Sequence, residues 1–213
     1  MRLGHQTNAW GGVVGHPAGV TSVKDLFYLT PGDTLAAFGE AAAAGYAGVE
    51  VFDGDLAEHA GDLGRVRRAL DEHRLALIGV YSGANLVFED ILPEELWRVG
   101  RACEWAAELG AEHLVLGGGA QRVRPPTDAD YDRMAASIDE VVRLAERHGL
   151  VASFHPHMGT TVQSPEQIER LLSRTGVNLC PDTGHLQAGG GDPVELVHTY
   201  RDRIAYVHIK DID

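Results

Sequence analysis

The chain has 213 residues, 44% of them hydrophobic, so a single domain with a sizeable core is expected. Its formal net charge of −13 disfavours nucleic acid as a partner, because affinity for a polyanion usually comes from a basic face. No apolar run approaches the roughly 20 residues of a membrane span, and the N-terminus lacks the apolar core of a signal peptide. The composition therefore predicts a cytoplasmic protein without membrane contact.

Strand and helix patterns alternate along the whole chain. The predicted strands cover residues 2–10, 47–52, 75–81, 113–116, 151–157, 177–182 and 204–208. Helices are predicted between them: one with Thr30 as N-cap running to Gly45, then 63–73, 93–109, 127–148, one opened by the Ser164–Gln167 capping box, and 193–201.

This alternation indicates parallel strands with right-handed crossovers. We expect an α/β fold, a parallel (β/α) TIM-type barrel that forms a single domain over residues 1–213. A complete barrel takes about 250 residues, and seven strands with no eighth βα unit indicate a barrel cut after the seventh strand. Its edge strands could pair two copies, so a homodimer is possible. Cys103 and Cys180 fall in a predicted helix and a predicted strand, which favours free buried thiols.

Polar clusters follow the last three strands, where the chemistry of a parallel barrel lies. Because alternate side chains of a strand share a face, His155 and His157 point the same way, as do Cys180 with Asp182 and Tyr206 with His208 and Lys210. Imidazole and carboxylate gathered on one rim suit Mn, Co, Zn, Fe or Mg. Each histidine alone is more simply a structural residue, but three clusters on successive strands predict a shared site.

Three sequence motifs here resemble the xylose-isomerase-like TIM-barrel superfamily of sugar isomerases and epimerases, and within it most of all the inosose dehydratase branch. They are HPHMGT at 155–160, PDTGH at 181–185 and HIKD at 208–211. The resemblance implies one divalent metal ion (Mn, Co, Zn or Mg), with Asp182 and His208 as ligands. His155, a third possible ligand, stands where the superfamily commonly has a Glu, and His185 would contact substrate or lie beside the metal. The superfamily's strand-eight Glu has no counterpart.

Further residues are candidates for smaller roles. Glu50, facing inward if Val49 and Val51 face the helices, could bind substrate hydroxyls or transfer a proton, or could form a structural ion pair. Lys210 could polarise a substrate oxygen. His157 could bind substrate, bind the metal or orient a ligand. Asn8 and Trp10, with Gln6, could line the substrate cavity, although barrel packing also explains them. The glycines at 117–119 match no nucleotide fingerprint and suggest a tight turn.

The sequence leaves three functions to be compared. The first is a divalent-metal-dependent isomerase or epimerase of a small keto-sugar or keto-polyol, acting through an enediolate, with an inosose-type dehydratase as its alternative on the same intermediate. The second is a non-catalytic barrel that binds a small ligand or a partner chain. The third is the related endonuclease that repairs abasic DNA, which needs more zinc ligands than the sequence offers and is disfavoured by its acidic balance.

Overall fold

The computed structural model describes residues 3–7, 30, 32–119, 121 and 123–212, which build a parallel sheet flanked by helices. Its strands are β1 (Gly4–Gln6), β2 (Gly48–Phe52), β3 (Ala76–Ala84), β4 (His113–Gly118), β5 (Val151–His155) and β6 (Asn178–Leu179). Sheet order follows chain order and every neighbouring pair is parallel. This is the connectivity of a TIM-type barrel and confirms the predicted fold class.

Helices connect the strands and cover the outside of the sheet. They are α1 (Thr34–Ala43), α2 (Asp53–Ala57), α3 (Leu63–His73), α4 (Leu92–Glu108), α5 (Asp128–Arg147), α6 (Pro165–Leu172), α7 (Thr183–Ala188) and α8 (Pro193–Tyr200), the last followed by a 3₁₀ turn at Arg201–Arg203. Across the described ranges, none of them combines the length and apolar character needed to cross a membrane.

Helix starts follow local capping chemistry. α6 begins as predicted, because Ser164 Oγ accepts from Gln167 N at 3.4 Å while Gln167 Oε1 accepts from Ser164 N at 3.1 Å. The prediction of Thr30 as the N-cap of α1 was wrong, since Asp33 Oδ1 accepts from the backbone N–H groups of Leu35 and Ala36. Thr30 instead donates its backbone N–H to Asp55 at 2.9 Å.

The predicted seventh strand is not a regular strand. Residues 204–208 run parallel to β6 but join it only at two isolated bridges, Leu179–Ile204 and Asp182–His208. β6 itself has two residues, and the following Pro181 has no N–H to donate to a ladder, so pairing is interrupted between the bridges. Both bridges still fix the register, and the second one sets Asp182 beside His208.

Two apolar clusters stabilise the barrel. The larger lies between the sheet and the helices, and the smaller one, inside the barrel, contains Phe52, Tyr81, Val115 and Cys180 with Tyr206 packed against it. Cys103 and Cys180 are both buried free thiols, as predicted.

A buried ion pair holds the C-terminal ends of β2 and β3. Arg98 Nη1 of α4 lies 2.6 Å from Asp53 Oδ2 of α2, and Ser82 Oγ of β3 donates to the same oxygen at 2.6 Å. The three partners satisfy one another inside the protein, which is the condition for a buried charge to be tolerated.

Candidate functional site

The predicted site residues meet at the C-terminal rim of the sheet. Glu50 lies in β2, His155 ends β5, and Asp182 is the N-cap of α7, where its Oδ1 accepts from His185 N at 2.9 Å. His208 is bridged to Asp182, and Lys210 follows two residues later. Asn8 and Trp10 lie outside the described residues.

Asp182 and His208 face each other with a carboxylate oxygen and a ring nitrogen that could bind a metal. His208 Nδ1 lies 3.9 Å from Asp182 Oδ2. Both atoms are buried, and within the described part of the chain His208 Nδ1 makes no hydrogen bond. The Lys210 ammonium contacts Asp182 Oδ2 at 2.7 Å as an ion pair. A buried carboxylate oxygen and a buried imidazole nitrogen this close together are two ligand atoms that suit a cation.

Glu50 engages the opposite edge of the His208 ring. His208 Nε2 lies 3.1 and 3.0 Å from the two Glu50 carboxylate oxygens. Gln6 Nε2 donates to the same carboxylate at 2.5 Å, and Glu50 is only 2% exposed. The structure therefore pairs Glu50 with His208, and in the neutral ring the hydrogen on Nε2 faces this carboxylate and leaves Nδ1 free to act as a ligand.

Three histidines form a second group, which we call the imidazole cluster: His155, His157 and His185. The rings of His157 and His185 have centroids 3.7 Å apart, and each lies 5.7 Å from the ring of His155. The His155 ring also lies 4.6 Å from that of His208. His155 thus stands between the cluster and the Asp182–His208 pair.

Burial and neighbouring charges lower the pKa values of His155, His185 and Asp182 and raise that of His208. Burial, joined by nearby positive charge, lowers the pKa of His155 well below its usual value and that of His185 to about 4. For His208, burial alone would lower the pKa, but the Glu50 carboxylate outweighs it and the pKa rises. Burial likewise acts to raise the pKa of Asp182, yet Lys210 and the His185 N–H hold it below its usual value.

Candidate metal donors occur in two overlapping sets, His155–Cys180–His208 and His155–His157–His185. In each, one ligand atom per residue lies within 4.8 Å of the others. The sequence placed Cys180 on the same face as Asp182 but did not identify it as a ligand, and the structure sets it beside His155 and His208. Burial raises the pKa of the Cys180 thiol well above its usual value, so Cys180 would bind as a thiolate only if a metal displaced its proton.

A cleft of about 790 Å³ opens between β1 and residues 204–210. Apolar side chains including Leu3, Ile78 and Val207 line it, and Glu50, His208 and Lys210 also reach its wall. The cleft therefore reaches Glu50, His208 and Lys210, whereas its lining does not include Asp182 or His155.

Gly117 and Gly118, where the sequence suggests a tight turn, are the last two residues of β4 and pair with β3. Gly118 has φ +124°, and a Cβ there would lie 1.8 Å from the carbonyl oxygen of Ala84. A Cβ on Gly117 would meet Tyr81 Oη at the same distance. Because Gly117 has no Cβ, the Tyr81 ring has room to lie edge-on to the His155 ring, with the two centroids 5.7 Å apart.

Known proteins resemble the chain in sequence and in fold. The family described as xylose isomerase-like TIM barrel matches residues 38–213. An inosose dehydratase of Geobacillus kaustophilus is 30% identical over 163 residues, 69% of this chain and 53% of that protein. The chain spans between half and two thirds of the length of this relative and of a Clostridium beijerinckii inosose dehydratase.

Solved structures agree on the fold. An L-ribulose 3-epimerase superposes with a TM-score of 0.75 at 18% identity, covering 99% of this chain and 70% of that one. The IOLI protein with a bound zinc atom superposes at 0.72 and 18% identity, covering 100% and 74% respectively. At these identities the likeness shows the architecture alone.

Proposed function

We propose a function from one premise: the chain belongs to the xylose isomerase-like TIM barrel family. On that basis we propose a metal-assisted dehydratase of a cyclic keto-polyol of the inosose class. One observation carries the proposal: Asp182 Oδ2 and His208 Nδ1 are buried and 3.9 Å apart, with the Lys210 ammonium 2.7 Å from that oxygen in the position a cation would take. Relatives named inosose dehydratases favour elimination over isomerisation.

The donor set fits a divalent cation. Asp182 and His208 would hold it, and His155 and Cys180, whose ligand atoms lie within 4.8 Å of that of His208, would be further donors. Mixed imidazole and carboxylate donors suit Mn, Co, Zn or Mg, and the zinc of the IOLI protein supports such a choice. When bound, the cation would polarise the substrate carbonyl and the adjacent hydroxyl, which acidifies the neighbouring C–H bond.

Proton transfer is assigned to His185 and Lys210. His185 is neutral at pH 7 because burial lowers its pKa to about 4, so it can accept the proton removed beside the carbonyl. The Lys210 ammonium donates a proton to the departing β-hydroxyl, which leaves as water while the C=C bond forms. Lys210 Nζ and His185 Nε2 lie 3.2 Å apart, so the abstracted proton can return to the lysine and close the cycle.

Glu50 is not assigned to proton transfer, although the sequence analysis included that role. Its carboxylate is 2% exposed and already accepts from His208 and Gln6. Burial alone would raise the pKa of Glu50, but the His208 charge and these hydrogen bonds lower it. Glu50 therefore stays ionised and orients the His208 ring as a carboxylate partner of a metal-binding imidazole does.

Isomerisation or epimerisation is the second candidate, because the same His185–Lys210 pair could return the proton to carbon instead of expelling a hydroxyl. One experiment separates the two. The metal-loaded protein is incubated with 2-keto-inositol in D₂O and the product is analysed by mass spectrometry. Loss of one water supports the dehydratase, and deuterium uptake without that loss supports the epimerase. Neither change, at metal loading shown to be complete, would refute both.

A further inference from the structure

The imidazole cluster could bind a metal ion of its own, and we call it a second metal seat, meaning a second metal-binding site. Its ligand atoms lie within 4.8 Å of one another, and they come from the end of β5, the loop after it and α7. His155 is 1% exposed, whereas His157 and His185 are half-buried. One side of the cluster is therefore fixed inside the barrel and the other side is open to an entering ion.

Contacts with neighbouring groups fix a lone pair on Nε2 of all three histidines, and that of His185 accepts from Lys210 until a metal displaces the ammonium. His157 Nδ1 faces the Met158 carbonyl oxygen at 2.7 Å, and His155 Nδ1 faces the Cys180 carbonyl oxygen at 3.3 Å. A carbonyl only accepts, so each Nδ1 carries the hydrogen and each Nε2 presents a lone pair. His185 Nε2 faces the Lys210 ammonium at 3.2 Å, and because lysine only donates, that nitrogen is also an acceptor.

This arrangement is the one that metal-ligating histidines use. Such a histidine donates its second ring N–H to a carbonyl or carboxylate, which fixes the tautomer and the ring orientation. His155 and His157 each have that backbone carbonyl in place without a metal. Three neutral imidazoles with no carboxylate favour ions that prefer nitrogen, above all Zn²⁺ in tetrahedral geometry with a water as fourth ligand.

We propose that His155, His157 and His185 form a second metal seat, selective for Zn²⁺, which competes with the Asp182–His208 seat for the shared ligand His155. The inference rests on the proposed function for the identity of the productive seat, and it deepens that function by naming its regulation. Zinc in the imidazole cluster takes His155 from the productive ion and occupies the proton acceptor His185. Excess zinc therefore inhibits the enzyme, whereas Mn²⁺, which prefers the carboxylate seat, does not.

Measurements of metal affinity distinguish the two metal seats without any measurement of enzyme activity. The chelator-stripped full chain is titrated with Mn²⁺ and Zn²⁺ by calorimetry, and with Co²⁺ by visible absorption, since a tetrahedral ion absorbs far more strongly than a six-coordinate one. Two variants are compared with the natural chain. Asp182→Asn disables the carboxylate seat yet keeps an N-cap side chain for α7, and His157→Gln disables the imidazole cluster at a half-buried position.

The proposal predicts a double dissociation. His157→Gln loses about tenfold or more in Zn²⁺ affinity and the strong Co²⁺ band, while Mn²⁺ affinity stays within about twofold. Asp182→Asn loses Mn²⁺ binding and keeps the Co²⁺ band. Unchanged Zn²⁺ affinity in folded His157→Gln would overturn the proposal, as would a natural chain with no strong Co²⁺ band. Should Asp182→Asn fail to fold, the natural chain and His157→Gln still decide. Failure of the proposed function would appear separately, as absence of turnover with both seats intact.

Discussion

Replacing Glu50 by Gln tests whether this carboxylate prepares His208 for a metal. The substitution keeps the side-chain volume but removes the charge that faces His208 Nε2 at 3.0 Å. It also sets an amide N–H₂ group among donors, since both His208 and Gln6 donate to this position. The ring then loses its fixed orientation, and Nδ1 no longer points reliably at the space beside Asp182.

The size of the effect follows from the contacts. Loss of a carboxylate that orients a metal-binding histidine costs about 10- to 100-fold in affinity, or about 1.4–2.7 kcal/mol. A buried group left without its partner also lowers the free energy of unfolding by about 1–3 kcal/mol. The Glu50→Gln variant should therefore be both less stable and a weaker Mn²⁺ binder.

A matched control distinguishes the two consequences. Asp53→Asn removes a carboxylate that is equally buried, close by in the chain and paired with Arg98 outside the site. Mn²⁺ affinity is measured by calorimetry and stability by urea unfolding for both variants. We expect both to lose stability and only Glu50→Gln to lose affinity. Equal Mn²⁺ affinity in Glu50→Gln and the natural chain would refute the orienting role.

Three further predictions concern charge, backbone and pH. Lys210→Met removes the ammonium 2.7 Å from Asp182, so Mn²⁺ affinity should rise by about tenfold in calorimetry; weaker binding would contradict this. Gly118→Ala places a Cβ 1.8 Å from a backbone carbonyl and should lower the melting temperature well beyond Gly149→Ala, which shares a positive φ but has open space and costs about 1–2 kcal/mol. The metal-free protein should lose stability as pH falls from 7.5 to 5.5. Burial lowers the pKa of all three histidines of the imidazole cluster, so below about pH 6.5 the unfolded chain takes up protons that the folded one refuses, at about 1.4 kcal/mol per pH unit for each. His208, with its raised pKa, opposes this with one proton only, and urea unfolding that is flat or strengthens toward pH 5.5 would contradict the prediction.

The sequence predicted the parts of the fold that local signals control. The strand–helix rhythm, α3 and the Ser164 capping box are local patterns, and the structure confirms them. The short helices α2 and α7 were missed, because five or six residues carry too weak a signal and depend on tertiary packing. The irregular pairing of residues 204–208 was also missed. Its cause is Pro181, which lies in the neighbouring segment and not in residues 204–208 themselves.

The site was predictable as far as strand alternation reaches. Asp182, His208 and His155 were identified from motifs at strand ends, and the structure brings them together, while their roles stay predictions. The pairing of Glu50 with His208 joins residues 158 positions apart, and no local pattern encodes such a contact. The tautomers of the imidazole cluster depend on carbonyl groups of other segments for the same reason.

The central claim is that Asp182 and His208 hold one cation at the mouth of the barrel. The most direct measurement is anomalous X-ray scattering from a crystal soaked in Mn²⁺ at neutral pH. We expect one strong peak at ligand distance from Asp182 Oδ2 and His208 Nδ1. A saturated crystal with no peak there, or with these two side chains turned away from a peak elsewhere, would contradict it.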